Sequence, residues 1–315
     1  TSATASDPDQ PTSFRPDATY VGNLRVALDG YVTGDLLSVA HIGTAAGQIG
    51  VSGTTISYAN VNFATTTGGT AADLVITFSS TTATPAAVGA LINALRYRST
   101  SDDPTVNNTD LSRVVTVTFN DGANTKDATS STTALTDTLT GTINLTAVND
   151  LPVIVVTGAT SLLENGLALT VDSTTTVTDS DDTLIDGGSV RITTGFLTGD
   201  TLTTTDSGNV IYSYDSAAGL LTLSGLDTLA RYQTVLRSLT YVTASEDPTD
   251  NATKLTRVLT YSLTDANSDS VGAATGTTTK TINITPTNDK PVVTAGATLA
   301  YAENDAATAI DGTMT

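Results

Sequence analysis

Apolar and polar residues alternate in many short runs along this chain, which is the period of a β-strand with one buried face. In the run 113–119 the apolar residues Val115, Val117 and Phe119 occupy every second position. The run 257–263 has the same pattern, with Leu259, Tyr261 and Leu263 at the apolar positions. We predict that the two runs are matched central strands, and that Phe119 and Leu263 are buried at equivalent places.

Two stretches depart from this alternation, and each predicts one short helical turn. Thr84 is suited to cap a helix, and Pro85 is suited to its first position. Apolar residues follow at helical spacing, at Val88, Leu91 and Leu95. Asp227 followed by the stretch 229–236 is the predicted counterpart further along the chain.

The chain contains an internal repeat. Residues 91–105 line up with 235–249, and residues 142–153 line up with 281–292. Each matched block is predicted to form a strand, and turn residues separate the blocks. Many short strands separated by turns predict an all-β fold of tandem antiparallel β-sandwiches.

The repeat divides the chain into three predicted segments. Residues 1–149 form a first sandwich repeat that lacks its first strands, and residues 150–289 form a second repeat. Residues 290–315 are the first strands of a third repeat, because 291–315 aligns with 152–176.

The segment missing from the first repeat is the one that residues 290–315 carry. These residues are therefore a candidate donor strand for another copy, which would give a head-to-tail homopolymer. The alternative is that the neighbours are repeats of the same long chain. The first residue is Thr1 rather than Met, so we expect a processed form or an excerpt.

Composition narrows the possible partners. The net charge of −19 disfavours nucleic acid and anionic membrane surfaces, which attract Lys and Arg. No run of 18 apolar residues is present, so no membrane insertion is expected. The chain has no Cys, which excludes disulfides and thiolate metal sites. Dense Asp suits a hard cation or a solvated surface.

An enzyme is not expected. His41 is the only histidine, and it lies in an Ala- and Gly-rich stretch without a catalytic motif. The chain has no Gly-x-Ser-x-Gly, His-Glu-x-x-His or phosphate-binding glycine loop.

A family resemblance rests on residues at the repeat boundaries. Asn149-Asp150-Leu151-Pro152 and Asn288-Asp289-Lys290-Pro291 occupy the two boundaries, and Glu164 and Glu303 follow them. Asp179-Ser180-Asp181 and Asp7-Pro8-Asp9 are Asp-x-Asp pairs. In this order they resemble the cadherin-like and chondroitin-sulphate-proteoglycan-type repeats of large prokaryotic adhesins. The chain lacks the full Asp-Arg-Glu motif and the longer linker motif of that family, which leaves the number of ions open.

The resemblance implies a cadherin-like or Ig-like sandwich with Ca²⁺ between domains. At the internal junction the implied ligands are Asp102 or Asp103, Asn149, Asp150, Asp179 and Asp181. At the second junction they are Glu164, Glu246 or Asp247, Asn288 and Asp289, with an Asp-x-Asp pair from the next domain. In a head-to-tail polymer Glu303, Asn288 and Asp289 would meet Asp7 and Asp9 of the neighbour. The alternative is that these residues form plain turns and solvated loops.

The function that follows is a non-enzymatic extracellular structural protein, a fibre, stalk or adhesin array at a prokaryotic cell surface. A carbohydrate-binding or adhesion module within a larger secreted protein is the alternative. Sugar platforms need exposed aromatic faces, whereas Trp is absent here and aromatics make up 5% of the residues. Glycosylation is left open at four Asn-x-Thr sequons, at Asn107, Asn144, Asn251 and Asn283.

Overall fold

The computed structural model describes residues 3–8, 10, 12–15, 21–122, 134–293, 296 and 298–310. Almost all regular structure in these residues is β, and it forms two sandwiches in tandem, which confirms the predicted fold class. The hydrophobic core of the first sandwich runs from Phe14 to Val117, and that of the second from Ile154 to Ile284. The predicted boundaries at residues 149 and 289 stay predictions.

The described residues of the first sandwich form nine strands and one helix. In chain order they are β1 (Asn23–Asp29), β2 (Asp35–Val39), β3 (Ile49–Ser52), β4 (Thr55–Tyr58), β5 (Val61–Gly68), β6 (Leu74–Phe78), α1 (Pro85–Ala94), β7 (Leu95–Ser99), β8 (Ser112–Asn120) and β9 (Thr136–Asn144). The large sheet has the order β3-β4-β5-β6-β1-β8-β9, and β2 pairs with β7 in a smaller sheet. All of these pairings are antiparallel.

The second sandwich contains twelve strands and one helix. They are β10 (Val153–Val155), β11 (Thr160–Leu163), β12 (Leu169–Thr170), β13 (Thr176–Thr178), β14 (Leu184–Thr194), β15 (Asp200–Thr203), β16 (Ile211–Asp215), β17 (Leu220–Ser224), β18 (Asp227–Thr228), α2 (Leu229–Arg237), β19 (Thr240–Thr243), β20 (Thr256–Asp265) and β21 (Thr275–Thr285). The large sheet has the order β11-β21-β20-β14-β17-β16, with β18 on β14. Two smaller sheets have the orders β12-β19-β15 and β10-β13. The pairing of β11 with β21 is parallel, whereas the repeat predicts antiparallel sheets.

The two matched runs form β8 and β20, and each lies between two partner strands as predicted. Leu263 is buried in the second core. Phe119 is only partly buried, although its ring contacts Phe14 edge-on at 4.7 Å between centroids. The difference arises because a groove remains open beside Phe119 in the first sandwich.

The two helices begin where the sequence predicts, but one cap differs. The Thr84 hydroxyl accepts a hydrogen bond from the Ala87 amide at 3.2 Å, and Pro85 follows at the first position. At α2 the cap is Thr228, which accepts from Arg231 N at 3.3 Å. Asp227 therefore is not the counterpart of Thr84. It belongs to β18, and its carboxylate accepts from Asn209 N at 2.8 Å.

Replacing Thr84 with alanine should lower the free energy of unfolding of the first sandwich by about 1 kcal/mol, because one amide at the helix start loses its acceptor. Urea unfolding followed by circular dichroism measures this change. T308A, which alters an exposed threonine outside both sandwiches, is the control and should change nothing. Equal unfolding curves for T84A and wild type would show that the cap is not stabilising.

Candidate functional site

Acidic and amide side chains from three loops and the linker meet where the first sandwich adjoins the second. We call this group of residues the junction cluster; it consists of Asp102, Asp103, Asn107, Asn108, Asn149, Asp150, Asp179, Asp181, Asp182, Asp265 and Asp269. The linker binds the second sandwich directly, because Asp150 N donates to Asp181 Oδ2 at 2.8 Å. Asn149 Nδ2 donates to Asp265 Oδ2 at 3.1 Å.

The two acids of the Asp-x-Asp pair at 179–181 lie in one turn. The amides of Asp181 and Asp182 both donate to Asp179 Oδ1, at 3.3 and 3.1 Å. Asp182 is buried and accepts from Ser268 N at 2.7 Å. The loop from β13 to β14 is thereby tied to the loop between β20 and β21.

The first sandwich contributes a loop in an uncommon backbone conformation. Val106, Asn107 and Asn108 have φ angles of 52°, 53° and 56°, in the left-handed region that branched residues such as valine rarely adopt. The Asp103 carboxylate fixes this turn by accepting from Thr105 N at 3.0 Å and from Asn107 N at 2.7 Å.

The same loop reaches across to the second sandwich. Asn108 Nδ2 donates to the main-chain oxygen of Asp269 at 2.7 Å. With its amide oriented to donate, the nitrogen of Asn107 lies 2.6 Å from the main-chain oxygen of Asp181. Two side-chain amides thus join the sandwiches through main-chain oxygens of acidic residues, and one carboxylate oxygen of each of these residues has no hydrogen-bond donor.

Several buried oxygen atoms in the junction cluster have no hydrogen-bond donor. They are Asn149 Oδ1, Asp179 Oδ2, Asp181 Oδ1, Asp182 Oδ2 and Asp269 Oδ2. Asp181, Asp182 and Asp269 are 4%, 2% and 2% exposed. Buried polar atoms without a partner are uncommon and costly, so a group of them at one place points to a missing positive partner.

Electrostatics at the junction agree with this interpretation. Burial raises the pKa of Asp150, and the negative charge of Asp181 raises it further. Asp102 and Asp103 act in the same direction. Burial and then the neighbouring carboxyl of Asp181 raise the pKa of Asp179 to about 7. The carboxylates therefore repel one another.

The oxygen atoms of the junction cluster are of the kinds that calcium binds in proteins. Calcium accepts six to eight carboxylate, amide and carbonyl oxygens in a flexible arrangement. In the part of the chain that the structure describes, no group of three or more His, Cys, Asp or Glu side chains is already arranged as a metal site. The junction cluster therefore offers suitable atoms that would have to converge further around an ion.

Most of the residues predicted for the second junction are exposed to solvent. Glu164 is buried, and its Oε2 accepts from Thr287 N at 2.6 Å, whereas its Oε1 has no donor. The other predicted ligands there are exposed: Glu246, Asp247, Asn288, Asp289 and Glu303. Asp7 is partly buried, and Asp9 lies outside the described residues.

A buried ionic network, which the sequence did not reveal, supports the loop of the first sandwich. Arg113 is fully buried and donates from Nε to Asp35 Oδ2 at 2.9 Å. Tyr97 OH donates to the other oxygen of Asp35 at 2.7 Å. Arg113 Nη2 also donates to the carbonyl of Pro104 at 2.7 Å, next to Asp103. Although burial alone would raise it, the hydrogen bond from Arg113 helps hold the pKa of Asp35 below its usual value.

The second sandwich repeats this network. Arg257 Nε donates to Asp200 Oδ2 at 2.6 Å, and Tyr241 OH donates to Asp200 Oδ1 at 2.7 Å. Arg257 Nη2 donates to the carbonyl of Pro248 at 2.7 Å. Asp247, next to Pro248, holds a turn in which Asp250, Asn251 and Ala252 also have positive φ angles. The sequence feature that could have revealed these two networks is the arginine at the start of each matched run, Arg113 and Arg257.

The single histidine has a structural contact. His41 is exposed, and its Nδ1 accepts from Val51 N at 2.9 Å, within a loop of the first sandwich. None of the helices in the described ranges has the length and apolarity to cross a membrane.

Comparisons with known proteins identify one partial sequence relative. No family model matches the chain. A stretch of 91 residues, 27% of the chain, is 45% identical to Halomucin of Haloquadratum walsbyi (strain DSM 16790 / HBSQ001). The chain covers about 1% of the length of Halomucin.

Solved structures with some likeness include cadherin ectodomains and a bacterial adhesin. The human desmocollin-1 ectodomain is 15% identical, with a TM-score of 0.20, over 83% of this chain and 36% of that chain. Drosophila N-cadherin EC1-4 is 13% identical, with a TM-score of 0.23, over 80% and 40%. The collagen adhesin (CNA) of S. aureus is 9% identical, with a TM-score of 0.20, over 83% and 81%.

Proposed function

We propose that this chain is a non-enzymatic structural module of an extracellular fibre, stalk or adhesin array, in which calcium at the junction cluster holds successive sandwiches in a fixed orientation. The observation that supports it is the group of five buried oxygen atoms without donors at one junction. A loop in a purely solvated role would leave its carboxylates in water, whereas three of these acids are nearly inaccessible.

The residues that would hold the ion come from the linker and from two loops of the second sandwich. Asn149 belongs to the linker, Asp179, Asp181 and Asp182 to the loop before β14, and Asp269 to the loop after β20. A bound calcium ion supplies the positive charge that these oxygens lack. Asn107 and Asn108 position the first sandwich against the same loops. Linker, loop and neighbouring sandwich would then move as one body.

Extracellular placement belongs to the same proposal. An acidic surface with a net charge of −19 stays solvated and resists non-specific association. The sequence similarity to Halomucin supports a surface protein of a prokaryote. Modules of this kind act in series, either as neighbouring repeats of one long chain or as copies joined end to end by strand donation from residues 290–315.

The carbohydrate-binding alternative receives less support. Among the described residues, Tyr301 is the aromatic side chain that is largely exposed, at 57%. Tyr212 and Tyr214 on β16 pack against the second core instead. A flat pair of exposed aromatic faces is therefore not found in the described part of the chain.

A distance measurement between the sandwiches tests the proposed function. Spin labels on S52C in β3 and S213C in β16 report the separation without background, because the chain has no native Cys. Calcium should narrow the distance distribution, and a chelator should broaden it. D181N should shift this response to a calcium concentration about tenfold higher, whereas D186N, an exposed acid in β14, should leave it unchanged. If calcium left the distance distribution of the labelled S52C/S213C protein unchanged, the proposed function would be contradicted.

A further inference from the structure

In the second sandwich the residues that follow the linker run beside the last strand, and in the same direction. We call residues 152–164 the entry segment; it contains β10 and β11. Its start touches the start of β21, where the carbonyl of Pro152 leaves no room for a Cβ on Gly276. Its end is the parallel pairing of β11 with β21, which finishes with Leu163 opposite Thr285. The chain therefore enters this sandwich beside the start of β21 and leaves it from the end of β21.

The contact continues beyond the last residue of β11. Glu164 N donates to the main-chain oxygen of Thr285 at 2.9 Å. The carboxylate of Glu164 accepts from Thr287 N at 2.6 Å. The entry segment is thus attached to β21 and to the residues directly after it.

A buried ion pair holds the middle of the entry segment. Lys280 Nζ, in β21, donates to Asp172 Oδ2 at 3.2 Å and also to the main-chain oxygen of Thr157. The side chains of Lys280 and Asp172 are only 4% and 3% exposed, and lysine is rarely buried unless it is paired. Thr157 N donates to the same Asp172 oxygen at 2.6 Å. The ion pair therefore binds both main-chain groups of Thr157, between β10 and β11.

The carboxylate of this pair is held in its charged form. Asp172 Oδ1 accepts from Thr174 N at 2.9 Å and from Thr174 Oγ1 at 2.6 Å. Although burial alone would raise it, the hydrogen bonds from Thr174, Thr157 and Lys280 hold the pKa of Asp172 well below its usual range. The ion pair should therefore persist at neutral and mildly acidic pH.

This arrangement determines how tension would act on the second sandwich. In a series of modules, tension reaches the sandwich through the linker and leaves it after β21. It pulls the start of the entry segment and the end of β21 in opposite directions, so the two must slide past each other. Hydrogen bonds between paired strands lie across the strands, and sliding loads them together. Peeling two strands apart from one end would break the same bonds one after another.

We propose that the entry segment, β21 and the Lys280–Asp172 pair form a load-bearing lock, which keeps the second sandwich folded while tension passes through it. This inference rests on the proposed function of modules that act in series, and it adds resistance to extension as a second mechanical property. Calcium at the junction cluster would fix the orientation between sandwiches. The lock lies within one sandwich and uses the lysine as its cation.

Single-molecule force spectroscopy on the full chain tests the lock by comparing two directions of pulling. Introduced cysteines attach the handles without background, because the chain has no native Cys. L151C and K290C, at exposed positions on either side, make the entry segment slide along β21. L167C and K290C share one anchor, but the other follows β11, so pulling peels β11 from the end of β21. At equal loading rates, sliding should need a several-fold higher unfolding force than peeling.

Substitutions within both anchor pairs test the ion pair. K280M keeps an apolar stem but removes the charge, and it should lower the force for sliding. It should leave the first rupture under peeling unchanged, because the end of β11 separates before Lys280 is loaded. T157V removes only the hydroxyl that donates to Asp172 at 3.0 Å, and it should lower the sliding force by less. This milder variant keeps the test informative if K280M does not fold.

Equal unfolding forces in the two pulling directions of the wild-type sandwich would overturn the inference. So would a sliding force that both K280M and T157V leave unchanged, or one that falls by the same fraction under peeling. The two anchor pairs load the second sandwich alone, whereas the S52C/S213C distance reports the junction. Failure of the lock is therefore distinguishable from failure of the proposed function.

Discussion

Replacing Arg257 with methionine is expected to unfold the second sandwich under conditions in which the first stays folded. The substitution leaves the buried carboxylate of Asp200 without its cation, and it frees the carbonyl of Pro248. Removing one partner of a buried ion pair costs about 3–5 kcal/mol. A domain of this size is stable by only about 5–15 kcal/mol, so this cost is a large part of the total.

Differential scanning calorimetry measures the effect, because two sandwiches with separate cores should give separable transitions. R257M should lower one transition and R113M the other. Y241F removes a single hydrogen bond to Asp200 and should cost less, about 1–3 kcal/mol. If R257M lowered both transitions equally, the sandwiches would not be independent folding units.

The sequence predicted the strands and helices whose pattern is local. β8 and β20 follow the two-residue period, and the Thr84–Pro85 pair marks the start of α1. Asp227 was the wrong counterpart for that cap, since Thr228 lies one residue later and its hydroxyl faces the helix start. Local chemistry favoured both residues, and the difference is that the Asp227 carboxylate accepts from the distant Asn209 N instead.

Contacts between distant residues were not predictable in this way. Arg113 pairs with a carboxylate 78 residues away, and no periodicity connects the two. The parallel pairing of β11 with β21 likewise depends on how the linker returns to the sheet. Sequence repetition showed that the arginine recurs, but only the fold shows that it is buried.

The sequence identified some members of the junction cluster, and their role as calcium ligands stays a prediction. The resemblance named Asn149, Asp150, Asp179 and Asp181, and the structure places these residues together. It did not name Asp182, Asp265 or Asp269, because two of these lie at or after the end of β20, in a region without a family motif. Their burial, rather than their spacing, identifies them as members of the junction cluster.

Removing calcium is expected to destabilise the protein strongly. A ligand that binds only the folded state adds about 2.7 kcal/mol when its concentration is 100 times the Kd. A chelator should therefore lower the thermal transition of the wild-type chain by several degrees. Magnesium at the same concentration should replace calcium poorly, because it demands near-ideal octahedral geometry and gives up its water reluctantly.

D181N is the matched variant for this experiment. Asparagine has the shape of aspartate, and its remaining oxygen can still accept from Asp150 N, so the junction loop should stay folded. The variant removes one negative charge and should weaken calcium binding by about tenfold or more. D186N removes an equal charge from an exposed position on β14 and should bind calcium as the wild type does.

Titration of the calcium-free full chain with calcium, followed by isothermal calorimetry, tests the central claim most directly. The proposed junction site predicts saturable binding that D181N weakens about tenfold and D186N leaves unchanged. Absence of saturable binding to the wild-type chain, or equal binding by wild type and D181N, would contradict a calcium site at the junction.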